Sequence, residues 1–164
     1  MSENRKSSEV QRATAAVIAS INPPPPAELS RPKRSVLLVE DDPPTAKVMT
    51  EMLEQLGYSS EWVASGDKVL EMVSSSRFDV IMLNLVMPDI DGFTVLQRLE
   101  SLMPHLLHRV LITTGMPTKY LEELDRKQIC GIVKKPVDVG ELQHLLIRCA
   151  GDVPFEAGGE SPVL

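Results

Sequence analysis

With 164 residues, 43% of them apolar and 4% aromatic, the chain is long enough for one domain with an aliphatic core and some surplus. A net charge of −6 and a pI near 5.1 carry no nucleic-acid footprint, and no apolar run approaches the roughly 18 residues that span a membrane. Cys130 and Cys149 stand far apart and fit no metal or redox spacing, which favours a reduced, cytosolic setting.

Residues 1–34 differ in composition from the rest of the chain. They combine Ser, Glu, Arg and Lys with Pro23-Pro24-Pro25-Pro26 and a basic cluster of Arg31, Lys33 and Arg34. Four successive prolines favour extended polyproline II and exclude a helix interior or a central strand. A disordered, Pro-rich and basic extension is expected here. The apolar stretch Ala13–Ile21 lacks the basic leader and the cleavage site of a secretory signal, because Glu3 and Glu9 precede it.

From Ser35 the pattern alternates between strand and helix. Val36-Leu37-Leu38-Val39 reads as a short buried strand that runs into Glu40-Asp41-Asp42, and Pro43-Pro44 suit a helix's first turn. Met49, Met52, Leu53 and Leu56 recur at helical spacing before Gly57 ends that helix. Residues 59–63 form a weaker second strand with Trp62, and Ser65-Gly66-Asp67 opens a helix carrying Val69, Leu70 and Val73. Val80-Ile81-Met82-Leu83 is apolar enough for a strand buried on both faces, and it empties through Asn84 into a loop rich in Pro, Asp and Gly. Phe93, Leu96 and Leu99 mark the next helix, and Val110-Leu111-Ile112-Thr113 the fourth strand, closing on Thr114-Gly115. A helix over 118–127 rests on Leu121 and Leu124. Gly131–Lys134 is the fifth strand, and Asp138 and Glu141 open the last helix as a capping box. Its buried stripe is Leu142, Leu145, Leu146 and Cys149, and 151–164 reads as a flexible tail.

Strands alternating with helices through short links predict an α/β fold, a parallel sheet covered on both faces. Polar residues cluster after the strand ends: Glu40 and Asp41, Asn84, Thr114 and Lys135. In a parallel sheet these converge on one edge, where open α/β sheets place their sites.

Glu40-Asp41, Met87-Pro88, Asp91-Gly92, Thr114 and Lys135-Pro136, in this order and spacing, resemble the receiver domain of two-component response regulators over about residues 35–150. The resemblance implies a three-layer flavodoxin-like (βα)5 fold with strand order 2-1-3-4-5, an order for which a response regulator is a standing example. It implies Mg²⁺ held by Glu40, Asp41 and the backbone carbonyl of Val86, a phosphoryl group contacted by Thr114 and Lys135, and a cis peptide before Pro136. Asn84 stands where the family carries its phospho-accepting aspartate. An amide nitrogen is not a nucleophile, so no acyl phosphate forms at residue 84 by the family route. The lost negative charge is expected to weaken Mg²⁺ binding, and Asn84 is expected to donate a hydrogen bond to Asp41. Ile132 occupies a switch position where many receivers carry Tyr or Phe.

The sequence therefore points to a single-domain signalling module of a two-component phosphorelay, cytoplasmic and without enzymatic activity of its own. Its expected partner is a protein: a histidine kinase, another receiver or a separate output protein. Nothing after residue 151 resembles an output domain. The alternative is a conventional phospho-acceptor carrying an Asp-to-Asn change or using another aspartate, Asp89 or Asp91. His105 and His108 read as a solvated helix end beside Pro104, and His144 as a lone helix histidine.

Overall fold

The structure, a computed structural model, describes residues 33–88, 92–117, 121 and 128–151. Strands β1 (Ser35–Val39), β2 (Ser59–Val63), β3 (Val80–Asn84), β4 (Val110–Thr114) and β5 (Gly131–Lys134) form one sheet in the order β2-β1-β3-β4-β5. Every pairing is parallel, with Leu38 opposite Met82 and Asn84 opposite Thr113. Helices α1 (Pro43–Gln55), α2 (Asp67–Ser75), α3 (Gly92–Leu102) and α4 (Val139–Cys149) link or follow the strands, and a 3-10 turn (Pro104–Arg109) precedes β4. The expected five-stranded parallel sheet, its order 2-1-3-4-5 and flanking helices are observed. The helix expected over 118–127 lies almost wholly outside the described residues, as do the extension before Lys33, Asp89, Asp91 and the tail.

Alternation along each strand divides the apolar residues between two cores. Leu37, Val39, Ile81 and Leu83 pack on one face with Val69 of α2 and Val95 and Leu99 of α3. Val36, Leu38, Val80 and Met82 pack on the other with Ala46, Met49 and Leu53 of α1 and Leu142 and Leu146 of α4. β3 is buried along its whole length, because it lies at the centre of the sheet between both helical layers. Each leucine so buried contributes roughly 1.5–3 kcal/mol. That burial fixes the register of the strand that carries Asn84 to the sheet edge.

Local signals set the helix ends. Asp42 caps α1, its Oδ2 accepting from the Thr45 amide at 2.9 Å and the Thr45 hydroxyl at 2.6 Å, and Pro43 and Pro44 fill the first turn. Gly57 follows α1 with a φ of 88°, a backbone conformation that costs glycine little. Asp138 caps α4 by accepting from the Glu141 amide at 2.8 Å.

One expectation is overturned. Cys130 and Cys149 are not separate thiols: a disulfide joins them, with Cα atoms 5.5 Å apart. The fold explains why a separation of 19 residues misled. α4 runs back along β5, so the residue before the strand meets the last residue of the helix.

Two outcomes test these local arguments. A Cβ at Gly92 would press on the Asn84 carbonyl oxygen and stand 2.6 Å from Leu85 Cα, whereas one at Gly115 meets nothing within 4 Å. Gly92→Ala is expected to lose about 1–3 kcal/mol in urea unfolding, and Gly115→Ala to stay within about 0.5 kcal/mol of the parent. The Thr45 hydroxyl, and next the Thr45 amide, hold the Asp42 carboxyl below its ordinary value, about 3.9. A depressed folded pKa means the cap stabilises fully above that ordinary value and is lost as pH falls through the lower, folded one. Carboxyl NMR should show Asp42 titrating below its usual range, and Thr45→Val should move it upward.

Candidate functional site at the carboxyl edge of the sheet

β1 and β3 are neighbours, so their carboxyl ends place Glu40, Asp41 and Asn84 side by side. Glu40 is 2% exposed and Asn84 4%, a burial that demands partners for every polar atom. They find them in one another. Asn84 Nδ2 lies 3.0 Å from Glu40 Oε1, 3.0 Å from Asp41 Oδ1 and 3.0 Å from the carbonyl oxygen of Val86. Two N–H hydrogens thus face three acceptors, and one hydrogen is shared. The surroundings dictate which end of the amide points there, because the opposite assignment would set Oδ1 against two carboxylates. Oδ1 instead accepts from the Val86 amide at 3.3 Å, closing a local turn of the kind that asparagine side chains favour.

Lys135, which follows β5, completes the cluster. Its ammonium lies 2.6 Å from Glu40 Oε2. The Glu40 carboxylate is therefore engaged on both oxygens, by a cation on one side and an amide on the other. Counting Glu40, Asp41 and Lys135, the cluster carries a net charge of −1, where an aspartate at 84 would make it −2. Lys135 is positioned by its backbone amide, which donates to the Thr114 carbonyl at 2.9 Å, and by the cis peptide to Pro136.

Not every expected residue joins this network. Thr114 is fully buried at the end of β4, but its hydroxyl accepts from the Met116 amide at 3.1 Å. Ile132 is half-buried and packs against the core shared by α2 and α3. His105 and His108 are exposed in the 3-10 turn and stand apart from the cluster, as does His144 on the solvent side of α4.

Trp62 is the participant that sequence reasoning missed. Its indole Nε1–H donates to the Glu40 carbonyl at 2.8 Å from the neighbouring strand β2. The available signal was a tryptophan in an otherwise polar edge strand, a large ring placed where no core required it.

The oxygens that the family resemblance makes Mg²⁺ ligands, on Glu40, Asp41 and Val86, are the three that surround Asn84 Nδ2. They keep the hard-oxygen chemistry that Mg²⁺ prefers. At their centre, though, they meet an amide N–H group, and Lys135 already holds Glu40's second oxygen. Among the described residues, no group of three or more His, Cys, Asp or Glu side chains could hold a metal ion.

Comparison with known proteins places the fold and the family. Residues 36–147 match the family model of the response regulator receiver domain. The hybrid signal transduction protein dokA of Dictyostelium discoideum is 33% identical over 125 residues, which cover 71% of this chain and 7% of that protein. The transcriptional regulatory protein CrdR of Helicobacter pylori is 25% identical over 124 residues, covering 76% of this chain and 58% of that one. The chain thus spans less than two thirds of the length of these relatives. The receiver domain of a sensor histidine kinase from Pseudomonas aeruginosa, with a magnesium ion coordinated in its active-site cleft, superposes with a TM-score of 0.62. That pair is 26% identical, and the match covers 73% of this chain and 99% of that one. A Polaromonas sensor protein reaches a TM-score of 0.67 at 24% identity, covering 74% and 98%, which speaks for the fold. With the five-stranded order, the acidic pair and the lysine in place, the chain belongs to the response regulator receiver domain family of two-component phosphorelay signalling.

Proposed function

We propose that this receiver domain signals by binding a protein partner and does not accept a phosphoryl group at residue 84. One observation carries the reading: Asn84 Nδ2 donates into Glu40, Asp41 and the Val86 carbonyl, the oxygens expected to hold Mg²⁺. The amide hydrogens offset the repulsion between the two carboxylates, which in a phospho-accepting receiver is the task of a divalent cation. Residue 84 offers no carboxylate oxygen for attack on phosphorus, and resonance ties up the lone pair of its amide nitrogen. Mg²⁺ binding is correspondingly weak, since an ion would have to displace these hydrogen bonds and would gain one carboxylate fewer. When bound, Mg²⁺ would supply charge neutralisation at Glu40, Asp41 and the Val86 carbonyl. Lys135 and Thr114, which in the family contact a phosphoryl group, serve here to hold the edge of the sheet in one arrangement.

The module is accordingly a binding element without catalysis of its own, with a histidine kinase, another receiver or a separate output protein as its partner. Support for these classes comes from the relatives, which include the sensor kinase/phosphatase LuxN of Vibrio and the histidine-protein kinase BarA of Escherichia coli.

Incubation with acetyl phosphate and Mg²⁺, followed by intact-mass measurement, tests the central point. The native chain is expected to gain no phosphoryl mass and Asn84→Asp to gain one. Phosphorylation of the native chain would show that another residue accepts phosphate and would overturn the proposal. Thermal unfolding gives a second expectation. Asn84→Asp without metal should be less stable by about 1–3 kcal/mol, because three donated contacts become a third carboxylate in a buried site. Excess Mg²⁺ should restore that loss in the variant through linkage and leave the native midpoint unmoved.

A further inference from the structure

The Cys130–Cys149 disulfide lies at the opposite edge of the sheet from the Asn84 cluster. It closes a ring that contains β5, Lys135, the cis peptide and the whole of α4. Three features bear on its chemistry. First, the pair is held together by contacts other than the sulfur bond. The Arg148 guanidinium donates to the Cys130 carbonyl, and Arg34 donates to the carbonyl of Ala150, the cap of α4. Leu142, Leu145 and Leu146 of the helix pack into the same core as Cys130 and Cys149. Second, both cysteines are 4% exposed in apolar surroundings, where a thiol is as acceptable as a disulfide sulfur. Third, Cys149 is the last helical residue, followed by Ala150 and by Gly151 with a φ of 83°. Opening one terminal turn exposes it, and helix ends open at low cost.

We propose that Cys130 and Cys149 form a reversible thiol–disulfide site whose state sets the order of the last turn of α4. Its co-reactant is a low-molecular-weight disulfide. A cysteine thiolate attacks one sulfur of the oxidant, forming a mixed disulfide and releasing one thiolate. The second cysteine thiolate then attacks the protein sulfur of that mixed disulfide and expels the other. Two S–H bonds and one S–S bond are lost, the protein S–S bond forms, and both protons pass to the released thiolates. Two electrons move from the protein to the oxidant. The reaction does not depend on what Asn84 does, so the two proposals stand or fall separately.

The full chain, equilibrated across glutathione buffers from fully reduced to fully oxidised, acid-quenched and alkylated, reports its thiols by intact mass. A single smooth conversion between two alkylations and none is expected. On reduction, hydrogen exchange should rise more at residues 145–151 than in α1. The thermal midpoint should fall by about 10 °C on reduction, the scale expected for a ring of this size in a chain of this length. Cys149→Ser should abolish the conversion and match the reduced protein in exchange. If that variant fails to fold, the titration of the native chain still decides. Thiols that stay reduced in oxidised glutathione would overturn the proposal. So would a bond that resists excess reduced glutathione under native conditions, or equal protection of residues 145–151 in both states.

Discussion

Two adjacent carboxylates, one of them buried, cannot both remain charged without something positive between or beside them. Here that constraint is met by one lysine ammonium and one side-chain amide. Lys135 takes the outer oxygen of Glu40, and Asn84 places its N–H hydrogens between Glu40 and Asp41. Removing either leaves a carboxylate with an unmet lone pair where water has little access. Because Asn84 also closes on Val86 through both ends of its amide, the same side chain shapes the start of the loop after β3.

The fold supplies the proximity that this network needs. β3 sits between β1 and β4, with no solvent-facing side along its length, so its register is fixed by burial on two faces. A slip of one residue would exchange the two cores and carry Asn84 away from the acids. Gly92 contributes from the far side, since its lack of a side chain lets α3 begin directly against the Asn84 carbonyl. Architecture and electrostatics are therefore not separable at this edge: the packing that makes the sheet also sets the distances in the cluster.

Much of this was legible in the residues. The short apolar runs, each emptying into polar residues, marked the strands, and the turn residues placed the helix ends at Pro43-Pro44, Gly57 and Asp138. The convergence of Glu40, Asp41, Asn84 and Lys135 comes with a parallel sheet. The rest depends on contacts that one-dimensional patterns do not encode. The amide of Asn84 reaches three oxygens, including a backbone carbonyl, where the residue types suggested only a bond to Asp41. The Thr114 hydroxyl oxygen accepts from the Met116 amide, a local turn bond that residue types alone do not announce. The disulfide escaped because pairing depends on how far α4 runs back along β5, not on the spacing of its cysteines.

The indole of Trp62 gives the pocket a built-in optical contact. It is the sole tryptophan of the chain, 44% exposed, and its N–H is bonded to the backbone of the residue whose carboxylate anchors the acidic cluster. Indole emission responds to hydrogen bonding and to solvent at the ring. The native fluorescence of this protein is therefore a local gauge of Glu40: a partner or ion that shifts the end of β1 changes its colour or intensity, without any label attached.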